Sequence, residues 1–154
     1  MKYTDYSRMK QEEFNALPIF WAFSTDQLEE KLLERGYTLG DAGRVLYRFG
    51  NGGFYLKKDS AIVKAYFEKD WVAELRERME ADHEFAREAF EYEMWNHEYP
   101  INWQGDWDVC SCFGNVEYDD GKYGDDYLRE LGYSEELIRI YEQAARTVRS
   151  ADCW

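Results

Sequence analysis

The sequence predicts a single domain of the α+β class over residues 1–154, mostly helical and with a β-hairpin. Apolar residues recur at helical spacing in several segments, which indicates amphipathic helices. Two short apolar runs flank Gly50-Asn51-Gly52-Gly53, and an Asn-Gly turn between such runs is typical of a hairpin. The chain has 154 residues, 45% of them hydrophobic and 18% aromatic, so it is large and apolar enough to bury a core. The pattern of apolar residues does not decide whether there is a third strand.

Capping residues and helix breakers set the expected boundaries of the elements. Ser24 followed by Gln27 is a capping box, Asp82 and Ser134 are suitable N-caps, and Pro18 ends the first helix. The expected helices cover residues 3–17, 25–35, 61–79, 82–99, 125–131 and the segment after 134, and the expected hairpin strands cover 44–49 and 54–57. The apolar run 19–23 predicts either a short buried strand or an extended wedge in the core.

The segment 101–124 is rich in aromatic and acidic residues and has no clear period. We interpret it as a long ordered loop that contains one strand, over residues 108–118. Long irregular segments in compact domains are often functional, so this loop is a candidate site.

The chain is strongly acidic, with a formal net charge of -13 and a pI of about 4.6. This charge argues against direct binding to nucleic acid or to an anionic membrane, because phosphate contacts require lysine and arginine. The acidity is regional: residues 68–98 carry 11 acidic and 4 basic side chains, whereas residues 1–67 carry 9 and 10. A polar N-terminus without an apolar stretch and an odd number of cysteines predict a reducing, cytoplasmic location.

Read as a helix, residues 68–98 form a stripe of carboxylates along one face. The stripe consists of Glu77, Glu80, Glu84, Glu88, Glu91 and Glu98, with Trp95 in the gap. Its side chains follow one another at helical spacings. The opposite face carries Phe85, Ala86, Ala89, Phe90, Tyr92 and Met94 and is expected to pack in the core. A break at Asp82 would divide the stripe between two helices.

Metal and cofactor sites are not predicted. His97, Cys110, Cys112 and Cys153 could supply zinc ligands, but a lone Cys-x-Cys lacks the paired spacing of structural zinc sites. Residues 119–130 resemble an acidic ion loop, yet Gly121 and Tyr123 stand where an EF-hand needs oxygen ligands. We interpret that segment as a solvated acidic turn.

Two functional alternatives concern chemistry and assembly. His97 lies four residues after Glu93, so the carboxylate could orient the imidazole in a small enzyme. Cys110 or Cys112 would be its nucleophile if the fold brings one close. A homo-oligomeric assembly protein that associates through exposed tryptophans is the other alternative.

Non-enzymatic binding to a basic protein is the leading hypothesis. Carboxylates can occupy the phosphate positions of a groove that normally holds DNA or RNA, while aromatic side chains anchor the interface. The expected contacts are Glu84, Glu88, Glu91, Trp103, Asp106, Trp107, Asp108, Asp119 and Asp120.

Several short motifs resemble a family of small uncharacterised proteins from phages and mobile elements of Gram-positive gut bacteria. These are Leu17-Pro18-Ile19-Phe20, Ala22-Phe23-Ser24 with Gln27, Gly52-Gly53-Phe54 and Asn96-His97-Glu98-Tyr99. The resemblance covers roughly the first two thirds of the chain. It implies no residue roles, but it implies a setting in which small acidic proteins inhibit host nucleases, including RNA-guided CRISPR effectors.

Overall fold

The computed structural model describes residues 1–151 and confirms the mostly helical α+β class. The helices are α1 (Tyr3–Asn15), α2 (Thr25–Glu34), α3 (Ala42–Val45), α4 (Ser60–Glu68), α5 (Trp71–Ala81), α6 (His83–Asn96), α7 (Gly105–Cys110), α8 (Gly124–Glu130) and α9 (Glu135–Arg149). The strands are β1 (Phe20–Trp21), β2 (Leu46–Phe49) and β3 (Gly53–Leu56), and short 3-10 helices cover Leu39–Asp41, Lys57–Asp59 and Ser111–Phe113. None of the helices in these residues combines the length and apolar character needed to cross a bilayer.

Internal contacts group the chain into two compact units. The hairpin unit comprises Met9–Lys69, and the acidic unit comprises Met1–Arg8 together with the described chain from Asp70 onward. The hairpin unit carries nine acidic and nine basic side chains, whereas residues 1–8 and 70–151 carry 22 acidic and 10 basic ones. The negative charge of the protein is therefore concentrated in one unit. The prediction of a single domain stays a prediction.

The hairpin unit contains the predicted hairpin and a third strand. Its sheet is antiparallel in the order β1-β3-β2, with Phe49 opposite Gly53 across the turn. Gly52 has a φ of 82°, and a Cβ there would lie 2.4 Å from the ring of Phe23. Glycine therefore suits the turn both in conformation and in space. The third strand is formed by the apolar run after Pro18.

Three predictions about residues 25–79 are wrong in detail. The strand expected from Arg44 begins only at Leu46, because the preceding residues form α3. The helix expected over 61–79 is interrupted, because the side chain of Asp70 accepts a hydrogen bond from the Ala73 amide at 2.9 Å and caps a new helix. Leu33, expected on the buried side of α2, is 58% exposed, whereas Leu32 is fully buried.

The acidic unit is built around the packing of α6 on α9, with α5 and α8 beside them. Phe90 of α6 lies edge-on to Phe113 and to Tyr141, with ring centroids 5.0 and 5.2 Å apart. The predicted packing side of α9 is confirmed, since Leu137, Tyr141, Ala144 and Val148 are all buried. On α6, by contrast, Tyr92 was expected in the core and is 43% exposed.

The strand predicted over residues 108–118 is wrong. Residues 105–110 form α7, a 3-10 turn follows, and residues 114–119 are irregular. Val109, Cys110 and Phe113 are all fully buried, which is a helical spacing and not the alternation of a strand. Packing of this segment in the core therefore overrides the β-propensity of its valine and aromatic residues.

Candidate functional site

The acidic stripe is divided at Asp82, whose side chain accepts a hydrogen bond from the Phe85 amide and caps α6. Four of its carboxylates are engaged within the unit. The Glu80 carboxylate accepts hydrogen bonds from the amide and hydroxyl of Ser134, and Glu88 accepts one from the Tyr3 amide at 2.9 Å. Two members of the stripe therefore hold the starts of other helices, α9 and α1.

Arg87 lies between two further members of the stripe. Its guanidinium donates to Glu84 and, at 2.7 Å, to Glu91. The hydrogen bond from Arg87 holds the pKa of Glu84 below its usual range. Each member of this triad is partly exposed, so it remains accessible to a partner, but Arg87 offsets part of its negative charge.

Asp106 and Asp108, both predicted as partner contacts, also have internal roles. One oxygen of Asp106 accepts hydrogen bonds from the hydroxyls of Tyr99 and Tyr141, each at 2.7 Å. Asp108 accepts one from the Asn102 side chain at 2.6 Å. Burial, and then the nearby Cys110 and Asp106, raise the pKa of Tyr141 well above its ordinary value. These carboxylates help to hold the loop after α6 against α9.

Three exposed aromatic side chains of the segment 101–123 line one cleft. Trp103 is 81% exposed and Tyr123 is 71% exposed, and Tyr118 lies edge-on to Trp103 at 5.9 Å. Together with Asp119 and Asp120 they form what we call the aromatic–acidic patch. These residues line a cleft of about 240 Å³. Trp107, another predicted contact, is half-buried, and its indole N–H donates to the Val116 carbonyl at 2.9 Å.

Hydrogen bonds hold the backbone of the patch around Asp119 in place. The Tyr127 hydroxyl accepts from the Asp119 amide at 3.0 Å and donates to the Asp119 carbonyl at 2.8 Å. The Asp119 side chain accepts from the Gly121 amide at 2.9 Å. Tyr118 and Tyr123, which flank this turn, are therefore presented on a fixed backbone, which lowers the entropic cost of ordering that part of the patch when a partner binds.

A second group of chemically active side chains meets beside α6. The Sγ atom of Cys112 lies 3.3 Å from Nε2 of His97 and 3.5 Å from Oε2 of Glu93, and the same Oε2 lies 3.6 Å from that Nε2. We call these three residues the Glu–His–Cys cluster. Its three ligand atoms lie within 4.8 Å of one another, and this is the one such group among residues 1–151.

Secondary structure explains why the cluster forms. Glu93 and His97 are four residues apart at the end of α6 and share one face, as the sequence predicts. Cys112 arrives from the 3-10 turn that follows α7. The Tyr3 hydroxyl donates to Oε1 of the buried Glu93 at 2.8 Å, which leaves Oε2 facing the other two residues. No sequence pattern pointed to Tyr3, because it lies 90 residues from Glu93.

The arrangement differs from an activated nucleophile. In a catalytic Cys–His pair, the acid orients one ring nitrogen while the thiol contacts the other. Here Glu93 and Cys112 both approach Nε2 of His97. Burial, and then the neighbouring Glu93 carboxylate, raise the pKa of Cys112 to about 12, whereas a nucleophilic thiol needs a lowered pKa.

The other residues considered for metal binding are elsewhere. Cys110 is fully buried, and its Sγ lies 3.7 Å from the Gly124 carbonyl and outside the cluster. Cys153 lies outside the described residues. In the acidic turn 119–130, Lys122 pairs with Glu130 at 2.8 Å, and Asp126 accepts from the Tyr123 amide as part of the start of α8. These contacts fit the interpretation of a solvated acidic turn.

Comparison with known proteins identifies one family. No curated protein and no solved structure matches the chain significantly, and nothing found points to an enzyme family. Residues 2–111 match a family described as a family of unknown function, DUF7659. That region contains the motifs on which the resemblance rests, together with Glu93 and His97. With more than half of its length matched, the chain belongs to the DUF7659 family.

Proposed function

We propose that the protein is a non-enzymatic inhibitor that binds the basic nucleic-acid-binding surface of a host defence nuclease. The target class would be RNA-guided CRISPR effectors, in keeping with the phage and mobile-element setting that the resemblance implies. The observation that carries the proposal is the aromatic–acidic patch in the unit that holds the negative charge. Exposed aromatic side chains act as anchors in interfaces, and carboxylates meet lysine and arginine.

The internal contacts of the carboxylates narrow the expected binding surface. Asp119 and Asp120 are exposed beside Trp103 and Tyr123, so they can approach a basic groove without breaking contacts within a helix. Asp106, Asp108 and Glu88 stabilise the unit, and their part in binding is secondary. Glu84 and Glu91 add negative charge on α6 at a reduced level, because Arg87 lies between them.

Variants of the patch test this proposal. Purified RNA-guided nucleases of several types would be assayed for DNA cleavage with the wild type, Trp103→Ala/Tyr123→Ala and Asp120→Lys. The matched control is Glu29→Lys on α2, because it reverses one exposed carboxylate in the neutral unit. Reversing Glu84, Glu88 and Glu91 together is not a clean test, since it would place lysines around Arg87 and remove the acceptor of the Tyr3 amide.

The wild type and the α2 control should inhibit at least one nuclease. The inhibition should be weaker at high salt, and it should occur only when the protein is added before the target DNA. Both patch variants should lose at least about 10-fold in affinity for that nuclease. The proposal is wrong if the wild type leaves every nuclease active, or if the patch variants inhibit as well as the control does. Concentration-dependent self-association through Trp103, measured by light scattering, would instead favour an assembly protein.

A further inference from the structure

We propose that Glu93, His97 and Cys112 form a binding site for a single Zn²⁺ ion. The donor set is one carboxylate oxygen, one imidazole nitrogen and one sulfur, which are the three ligand types that zinc takes in proteins. Glu93 is buried, and His97 and Cys112 are partly exposed, so the site is open to solvent on one side.

The separations of the donor atoms match a tetrahedral ion. Zinc binds sulfur at about 2.3 Å and nitrogen or oxygen at about 2.0–2.2 Å, so in a tetrahedron a nitrogen and an oxygen ligand lie about 3.3–3.6 Å apart and sulfur lies about 3.5–3.7 Å from either. The observed N–O and S–O separations of 3.6 and 3.5 Å fall in these ranges. The S–N separation of 3.3 Å is shorter than its range by about 0.2 Å. An ion can therefore bind all three ligands with little movement of α6 or of the 3-10 turn.

The three donor atoms also lie close enough to one another to share one ion. Both Oε2 of Glu93 and Sγ of Cys112 converge on the same nitrogen of His97. Hydrogen bonds can join these groups in pairs, with the Cys112 thiol donating to Oε2 of Glu93, whereas one cation would bind all three donor atoms at once. On binding, the Cys112 thiol would lose its proton to the buffer, and its sulfur would bond to zinc.

The surroundings of Glu93 resemble the outer shell of a metal site. The Tyr3 hydroxyl binds Oε1 at 2.8 Å and the Asn96 side-chain amide lies 3.4 Å from Oε2. Hydrogen bonds of this kind orient a ligating carboxylate, and their loss commonly lowers metal affinity by about 10- to 100-fold. With three protein ligands, the fourth position of the tetrahedron is left for water, as in open zinc sites.

Titration of the metal-free protein with Co²⁺ and Zn²⁺ tests the site. Tetrahedral Co²⁺ gives intense visible bands, and a thiolate ligand adds a charge-transfer band in the near ultraviolet. The wild type should bind one equivalent with both signals, and Zn²⁺ should displace the Co²⁺. Calorimetry in two buffers of different ionisation enthalpy should detect the release of about one proton.

Matched variants assign the ligands. Cys110→Ser/Cys153→Ser, which keeps Cys112 as the one cysteine, and His83→Ala should bind as the wild type does. Cys112→Ser should lose the charge-transfer band, and His97→Ala and Glu93→Gln should lose more than 100-fold in affinity. Tyr3→Phe should bind about 10- to 100-fold more weakly. Circular dichroism of each metal-free variant shows whether it is folded.

Several results would overturn the site. These are the absence of Co²⁺ bands in the folded wild type, an unchanged charge-transfer band in Cys112→Ser, or the loss of that band in the variant that keeps only Cys112. If Cys112→Ser fails to fold, His97→Ala and Tyr3→Phe decide by affinity alone. The titration needs no partner protein, so its result is independent of the proposed inhibitory function.

Discussion

Asp106 brings two tyrosine hydroxyls to a single carboxylate oxygen. Tyr99 and Tyr141 both donate to it, and Arg149 in turn donates to the Tyr99 hydroxyl at 2.5 Å. A buried hydroxyl without an acceptor costs about 1–3 kcal/mol, so this shared acceptor matters for stability. A residue that looks like a binding carboxylate in the sequence is therefore part of the internal packing of the acidic unit.

Replacing Tyr141 with phenylalanine should change how stability depends on pH. In the folded protein burial keeps the hydroxyl protonated well above its ordinary pKa of 10.0, whereas the unfolded chain loses that proton near pH 10. The unfolded state then binds fewer protons, so this group's stabilising contribution is fully present below that pH and is lost as the pH rises.

Urea unfolding at several pH values measures this effect. Above about pH 10, the free energy of unfolding of the wild type should fall by up to about 1.4 kcal/mol per pH unit more steeply than that of Tyr141→Phe. Parallel curves for the two proteins would show that the hydroxyl ionises equally in both states, contrary to this expectation.

Helix α6 carries side chains of the core, of the surface and of the Glu–His–Cys cluster of the acidic unit. It carries Phe90 in the core, the Glu84–Arg87–Glu91 triad on its surface, and Glu93 beside Cys112. Its start is set by Asp82, whose side chain accepts from the Phe85 amide at 3.1 Å. The cap therefore determines where the helical register of all these side chains begins.

Asp82→Ala should lower the free energy of unfolding by about 1 kcal/mol, because the Phe85 amide loses its acceptor at the start of α6. Asp82→Ser is the matched control, since serine caps a helix as well as aspartate but carries no charge. Denaturant unfolding should place the serine variant near the wild type. Equal losses in both variants would mean that the charge of Asp82, and not its hydrogen bond, stabilises α6.

The whole molecule distributes its charge unequally, with nearly all of the negative excess in residues 1–8 and 70–151. Exposed ion pairs such as Arg129 with Asp125 contribute little to stability, because solvent screens them. This unit has 12 more negative than positive charges, and these excess charges repel one another over longer distances than the contacts within ion pairs. We therefore expect repulsion to outweigh the surface pairs in the response to salt.

Raising NaCl from 10 to about 100 mM shortens the screening length from about 30 to about 10 Å. The thermal unfolding midpoint of the protein should rise over this range. A variant with Glu117→Gln, Asp119→Asn and Asp120→Asn should respond less, because it carries three fewer exposed charges. A midpoint that falls with salt would show that ion pairs contribute more than repulsion costs.

The sequence alone determined the features that depend on near neighbours. The turn at Asn51-Gly52, the caps Ser24, Asp82 and Ser134, and the shared face of Glu93 and His97 were all predictable, because each rests on residues within about four positions. The wrong strand over 108–118 shows the limit of such patterns, since burial on several sides decided its conformation.

Only the tertiary structure decided which distant residues meet. Cys112 lies 15 residues from His97, and Tyr3 lies 90 residues from Glu93, so neither contact has a periodic signature in the chain. The same holds for Asp106 and Tyr141, 35 residues apart. Helix packing in the acidic unit creates these neighbours, since it brings together the side chains that separate helices present to a common core.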